Sequence, residues 1–524
     1  MESVEEIASS SIRGSVYLFL GTTASTVLSA IASILFGRLL GPGGYGLYSL
    51  SLTPPSLLLL ATNFGLNVGI VKYISEYQRR GRYLTIKRLI LKALLFQGLL
   101  SIFLSLIVFM YSDILSMYVI NRPEAGEYVK ITSLYLIGVV VLGTLNQGFI
   151  GLNRMDSVST TMFIQALTKV FLGVGLVVLG FGIWGAVVGH SLSYIIALVI
   201  GLALIYKIVF GSFSDDNQNE YVDRIGLKDL IIFGFPVYIG SLSLPILGVY
   251  RNYLMSLYTS DAEIGNFMAA MNLSSALIVF VTPIVSTLFS SFSRLDRERE
   301  LNIIRDLFRY SVKYSSVLVL PVALYLSLMA DEVISLLYGS DYVSAPLYLV
   351  IAISPYLLIG LGHSIVVSLL NGLGETKVVL KMFLIGFFIS LPLYPMLIIL
   401  YGVLGILLAI LVSAIASLMY SLIYIRRNFN ISIQLNDTFR VYVAAFSSLL
   451  VTYVVKYMIP IGRPVIALIL YGIIFLIIYM SILPTVRGIT RHDISLLINS
   501  FKKLGLLGYP VVLLLKIEER LCKE

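Results

Sequence analysis

Fourteen stretches of this chain are long and apolar enough to cross a lipid bilayer, and that feature alone leaves few folds open. A helix needs about 20 mostly apolar residues to span the hydrocarbon core. Such stretches fall at about 14–38, 43–67, 88–111, 129–150, 159–179, 182–207, 229–258, 264–290, 312–337, 344–371, 378–400, 402–425, 440–459 and 464–484. They are apolar on every side, without the alternation of a transmembrane barrel, and inside lipid a helix satisfies its own backbone. The sequence therefore predicts an all-α polytopic membrane protein with fourteen transmembrane helices. Composition agrees: 12% of the 524 residues are charged, about half the 25% of a soluble domain, and the mean hydropathy is +0.94. The first stretch is too long for a cleavable signal, and its flank carries Glu2, Glu5 and Glu6 against a single Arg13, so it is expected to remain as a helix.

Orientation follows from Lys and Arg in the short loops. With both termini cytoplasmic, 30 of the 37 basic residues fall inside. Six fall outside (Arg38, Arg122, Lys130, Arg251, Lys456 and Arg463), and Lys169 stays deep in a span. The formal net charge of +9 is then a topology signal and a contact with anionic membrane lipid, not a nucleic-acid footprint. Cys522 is the only cysteine, and His190, His363 and His492 lie in separate segments, so no metal site or cofactor is expected.

The chain also repeats itself. Gly46-Leu47-Tyr48 recurs as Gly265-Asn266-Phe267, and Asp113 to Tyr118 recurs as Glu332 to Leu337, both at an offset of 219. Gly151-Leu152 matches Gly372-Leu373, Gly182 and Gly185 match Gly402 and Gly405, and Arg80-Gly-Arg82 pairs with Arg297-Glu-Arg299. Five matches in chain order, within four residues of one offset, imply two six-helix lobes at 1–208 and 229–427. An even number of helices gives both lobes the same orientation. That is the parallel-repeat class of transporter, which places its substrate site at the repeat interface. A polar cytoplasmic linker, 209–228, joins the lobes. Two further helices occupy 428–484, and the tail 485–524 reads as an interfacial amphipathic segment.

This plan resembles the polysaccharide-exporter branch of the multidrug/oligosaccharidyl-lipid/polysaccharide superfamily. The resemblance is carried by Phe36-Gly-Arg-Leu-Leu-Gly-Pro-Gly-Gly-Tyr-Gly46, by Ile334-Ser-Leu-Leu-Tyr-Gly-Ser-Asp-Tyr342, and by Leu370-Asn-Gly-Leu-Gly-Glu375. It implies a multi-pass protein of the plasma membrane, not an enzyme. Such a protein moves a polyprenyl-linked oligosaccharide from the cytoplasmic to the outer leaflet, alongside glycosyltransferases of the same pathway.

An ionisable side chain at the bilayer centre costs about 2.5–3.5 kcal/mol on insertion scales. Lys169, ten residues into the fifth helix, lies roughly 15 Å deep. Arg251, His190 and His363 lie further from the middle of their spans, and the repeat places no matching charge at 389, 32, 410 or 142. No Asp or Glu lies in the middle of any span, whereas drug exporters of the resembled superfamily rely on an embedded carboxylate. Cations without carboxylates suit an anionic ligand such as a phosphate or pyrophosphate, Arg as a fork and Lys as a point charge. The candidate cationic cavity is Lys169, Arg251, His190 and His363, with amides such as Asn67, Asn146 and Gln165 for sugar hydroxyls. The competing reading of the histidines is hydrogen-bonded packing, and of Arg251 is snorkelling outward. Arg38, Gly41 and Gly46 mark a tight turn between the first two helices, and Pro236 and Pro245 make the seventh helix a hinge candidate. A cation-coupled multidrug antiporter is the alternative function. A membrane glycosyltransferase or polymerase fits less well, since the longest outer loop carries only Asp113, Glu124 and Glu127.

Overall fold

The structure, a computed structural model, describes residues 4–211, 225–297, 299–491 and 493–495, and among these there are helices and no β-strand. Ten ranges are long and apolar enough to cross a membrane, or up to twelve if each of two bent pairs is one span. By packing, the chain forms two compact units, 1–268 with 394–405 and 269–393 with 406–524.

The first unit opens with α1 (Val4–Ser51), which is two limbs rather than one rod. Phe36 and Tyr48 are twelve residues apart, about 18 Å along an unbroken helix, yet their ring centroids are 5.2 Å apart. The chain doubles back at Gly41, whose φ of 68° only glycine adopts without strain, and Pro42 follows it. Next comes α2 (Thr53–Leu59), with Pro54 and Pro55 in its first turn, where a missing N–H costs nothing. Then follow α3 (Leu66–Arg79), α4 (Tyr83–Met110), α5 (Ser112–Val119), α6 (Gly126–Gly151) and α7 (Met155–Thr168). Two π-helical stretches, Lys169–Val174 and Val177–Phe181, carry α7 to a reversal at Gly180 and Gly182, both at positive φ. The chain returns as α8 (Gly182–Ile205). A Cβ on Gly189 would lie 2.1 Å from the Gly173 Cα, so the limbs touch backbone to backbone. The last helices of this unit are α9 (Leu227–Ser241), α10 (Ser243–Tyr258) and the first half of α11 (Asp261–Ser275). A 48° bend separates α9 from α10 and falls between Pro236 and Pro245.

The second unit contains α12 (Ile278–Phe292), α13 (Leu301–Leu328), α14 (Ala330–Leu337), α15 (Ala345–Leu357) and α16 (Ile365–Gly372). They are followed by α17 (Thr376–Tyr401), α18 (Val403–Phe429), α19 (Leu435–Met458) and α20 (Pro464–Thr485), with residues 394–405 belonging to the first unit. Its core joins Phe308, Val312 and Leu320 of α13 to Ile365 and Leu369 of α16, Ala444 of α19 and Phe475 of α20. One face of α13 fastens the C-terminal segments. Arg305 donates to the Phe429 carbonyl at 3.1 and 3.3 Å, Arg309 pairs with Asp437 at 2.7 Å, and Lys313 pairs with Asp493 at 2.5 Å.

Several expected helices are interrupted. The stretch 43–67 is split by Leu52 and by the turn before α3, and 312–337 is split at Met329. The stretch 344–371 is bent by 52° where Gly362 and Ser364 take positive φ. Most of the expected linker (212–224) and of the expected tail (496–524), with His492, lies outside the described residues; Ile489 and Ile494, in the described start of that tail, are buried in the second core.

Candidate functional site

Lys169 is the first residue of a π-helical stretch, a local widening that recurs at functional sites in helices. It is buried, 8% exposed, and its Nζ lies 5.9 Å from the Phe36 ring centroid. His190 comes from α8, next to the Gly189–Gly173 contact that draws the two limbs together. The Nδ1 of His190 is hydrogen-bonded to the Tyr48 hydroxyl at 2.8 Å, and the ring is enclosed by Tyr135 at 5.2 Å and Tyr194 at 5.6 Å. Lys169 is close enough to His190 for their charges to interact. The first unit therefore brings together two of the four sequence-predicted residues, in a cage of four helices: both limbs of α1, α6, α7 with its π-helical extension, and α8. Beside them, Gln165 donates to the Ser193 hydroxyl at 2.9 Å, which donates to the His190 carbonyl at 2.7 Å.

Arg251 stands on α10 in the same unit. Its guanidinium lies 5.0 Å from the Phe267 ring centroid, a cation–π contact, and Tyr394 is within charge-interaction range. One weak hydrogen bond of 3.4 Å reaches Asn252, which donates in turn to Thr53 at 3.3 Å. Its Nε is enclosed without a hydrogen-bond partner. Among the described residues neither Lys169 nor Arg251 forms an ion pair, so neither has a carboxylate to offset its desolvation. An anion entering here would supply that partner.

His363 belongs to the second unit, half-buried at the break between α15 and α16, flanked by Gly362 at φ 83° and Ser364 at φ 67°. Arg38 is exposed on the first limb of α1. Gly41 forms the turn described above. Gly46 does more: a Cβ there would lie 1.9 Å from the Asp261 carbonyl oxygen, and one on Gly265 would lie 1.9 Å from that of Pro42. The two glycines related by the repeat thus pack on each other's turns. Of the candidate amides, Asn67 and Asn146 accept hydrogen bonds from Thr144 and Thr161, so they join helices in this state. Tyr48, Tyr135 and Tyr194 were not singled out from the sequence. Tyr48 closes the Gly46-Leu47-Tyr48 repeat match, the one signal that marked it.

The sequence pattern of the family described as polysaccharide biosynthesis protein matches residues 11–296. The probable low-salt glycan biosynthesis flippase Agl15 of Haloferax volcanii is 22% identical over 404 residues, covering 75% of this chain and 79% of that protein. The lipid II flippase MurJ of Bacillus subtilis is 20% identical over 463 residues, covering 80% and 84%. Among solved structures, a lipid II flippase MurJ in an inward closed conformation aligns with a TM-score of 0.72 at 15% identity, covering 89% of this chain and 98% of that one. An inward-facing MATE family multidrug transporter of the MOP superfamily aligns at 0.58 and 15% identity, covering 79% and 98%. The chain is a multi-pass membrane protein with the fold these two share.

Proposed function

Because the chain belongs to the polysaccharide biosynthesis protein family, we propose that it is a flippase for a polyprenyl-(pyro)phosphate-linked oligosaccharide. It carries the sugar from the cytoplasmic to the outer leaflet of the plasma membrane by alternating access. The observation that carries this reading is that buried Lys169 and half-buried Arg251, whose Nε is enclosed without a partner, have no carboxylate partner among the described residues. The phosphate linkage between sugar and lipid has the charge they lack, and the lipid tail stays in the bilayer. His190 and the surrounding tyrosines position Lys169, and His363 is the further cationic candidate, on the second unit. The flippase relatives of this chain act in glycan and lipid II pathways by name, which favours this substrate class over drugs. The lack of any mid-span carboxylate weighs against a cation-coupled drug antiporter.

In the proposed topology the hairpins within Gly21–Leu59 and Met155–Val209 each cross twice and each bent pair crosses once, giving fourteen crossings with both termini cytoplasmic. The lobes rock about the repeat interface, with the bend between Pro236 and Pro245 as a hinge. Replacing both Lys169 and Arg251 by Gln should abolish outward delivery of a lipid-linked oligosaccharide while the amount of protein in the membrane stays unchanged. Normal delivery by Lys169→Gln/Arg251→Gln would overturn the cationic cavity.

A further inference from the structure

Arg122 has no place in the anion site, yet its guanidinium makes four hydrogen bonds. It lies between α5 and α6, in the first repeat. Its Nε donates to Asp261 Oδ1 at 2.6 Å, its Nη1 to the Ser256 carbonyl at 3.0 Å and the Asn121 carbonyl at 2.8 Å, and its Nη2 to the Thr259 carbonyl at 3.0 Å. Ser256 and Thr259 end α10, where helix carbonyls lack partners and a positive charge is favoured, while Asp261 opens α11, where a negative charge is favoured. One guanidinium thus closes the corner of the second repeat from outside that repeat. The pair is partly shielded, with side chains 14% and 25% exposed.

The same corner is seated on the first repeat a second time. The Asp261 carbonyl meets Gly46, and Gly265 meets the Pro42 carbonyl, each where a Cβ could not fit. Both contacts join segments whose counterparts in the repeat are each other, so they lie on the line along which the two repeats must part. The charged contact is one-sided. Asp341, 219 residues after Arg122, is exposed and forms no ion pair among the described residues.

We propose that Arg122 and Asp261 form a latch that holds this end of the transporter shut and must release for substrate to leave there. The latch rests on the alternating-access reading, and on the proposed topology for placing this end outside. Glycine-to-backbone seating excludes water but is short-ranged, whereas the ion pair with two helix-end carbonyls supplies the attraction that a small separation does not immediately remove. The Asp261 carboxylate and the two carbonyls are all short in reach, so parting the turns by a few ångströms breaks all three inter-repeat bonds together.

The test uses the full chain with Cys522→Ser and a reporter Thr53→Cys, treated with a membrane-impermeant maleimide in intact cells and in inverted vesicles. Thr53 is 1% exposed and lies seven residues beyond Gly46, about 10 Å deeper along the helix. In the parent, labelling should be slow from both sides. Arg122→Gln and the near-isosteric Asp261→Asn should raise the rate from intact cells at least several-fold, and Arg122→Asp/Asp261→Arg should bring it back towards the parent. Unchanged labelling in both single variants, or no recovery in the exchanged pair at normal membrane levels, would overturn the latch. A rise confined to inverted vesicles would keep the latch and overturn the topology. Labelling needs no substrate, so failure of a lipid-linked oligosaccharide to move in the parent would count against the flippase reading alone.

Discussion

The deep cations of the two units are treated in opposite ways. In the first unit Lys169 faces an aromatic ring and a histidine, and Arg251 an aromatic ring and an amide, with no carboxylate on either. In the second unit Lys313 is as enclosed as Lys169, at 6% exposure against 8%, but meets Asp493, which is 2% exposed and also accepts from Tyr314 at 2.7 Å. Both lysines lie on helices long enough to span a membrane, so burial alone does not separate them. The difference is whether the fold supplies the counter-charge. Where it does, the charge joins segments of the chain. Where it does not, the charge is kept at a cost in stability.

The largest expected effect tests that difference directly. Removing one partner of a buried ion pair costs about 3–5 kcal/mol, because the other is left uncompensated. Lys313→Met should therefore lower the thermal midpoint in detergent by many degrees. Lys169→Met removes a charge with no partner to strand, so its midpoint should stay level or rise while delivery of the lipid-linked oligosaccharide is lost. Equal losses of stability in the two variants would remove the distinction between a fastening and a waiting charge.

That distinction was only half legible in the sequence. Hydropathy is local, so the apolar stretches and the depth of Lys169 could be read along the chain. The periodic signal Arg305, Arg309, Lys313 at every fourth residue was also present, and it marks the fastening face of α13. Their partners were not legible, because Lys313 and Asp493 are 180 positions apart, and Arg122 and Asp261 139. The cage around His190 draws on residues 36, 48, 135 and 194, which no spacing rule connects. The π-helical stretch at Lys169 has no proline to announce it and lies where Gly173 packs on Gly189, while the break beside His363 follows Pro355 and takes Gly362 at positive φ.

A smaller effect separates the fastening by pH. Burial opposes the charged form of Asp493, but hydrogen bonds from Lys313, Tyr314 and Thr490 outweigh it and hold the carboxyl below the usual carboxylate range. A depressed folded value means that its contribution is fully present above the unfolded value of about 3.9 and is lost as pH falls through the folded one. The midpoint of the parent should carry that contribution unchanged from about pH 5 to 8 and shed it below about pH 4. Asp493→Asn should be less stable at neutral pH and should flatten that acid limb. An identical acid limb in both proteins would mean that other carboxylates set it.

The smallest effect lies at two positions that the repeat offset of 219 relates, Asp156 and Glu375. Asp156 is paired with Arg154, two residues away, through hydrogen bonds of 3.0 and 2.8 Å with both side chains about half exposed. Such a pair joins nothing distant. Glu375 accepts from Arg297 at 2.7 Å and from Tyr424 at 3.0 Å, so it connects the segment before α13, the start of α17 and the end of α18. Arg297 also lies 4.5 Å from the Phe429 ring centroid. Exposed pairs are worth about 0.2–1 kcal/mol, and the partly buried Glu375, with two partners, belongs at the upper end. Glu375→Gln should therefore lower the thermal midpoint measurably, and Asp156→Asn by less than half as much. Salt should narrow the gap, because at 1 M the screening length falls to about 3 Å. A gap that survives 1 M salt would assign the difference to the uncharged Tyr424 hydrogen bond instead. If the cross-linked position is the costlier one to cut, Glu375 fastens its unit more than Asp156 fastens the other.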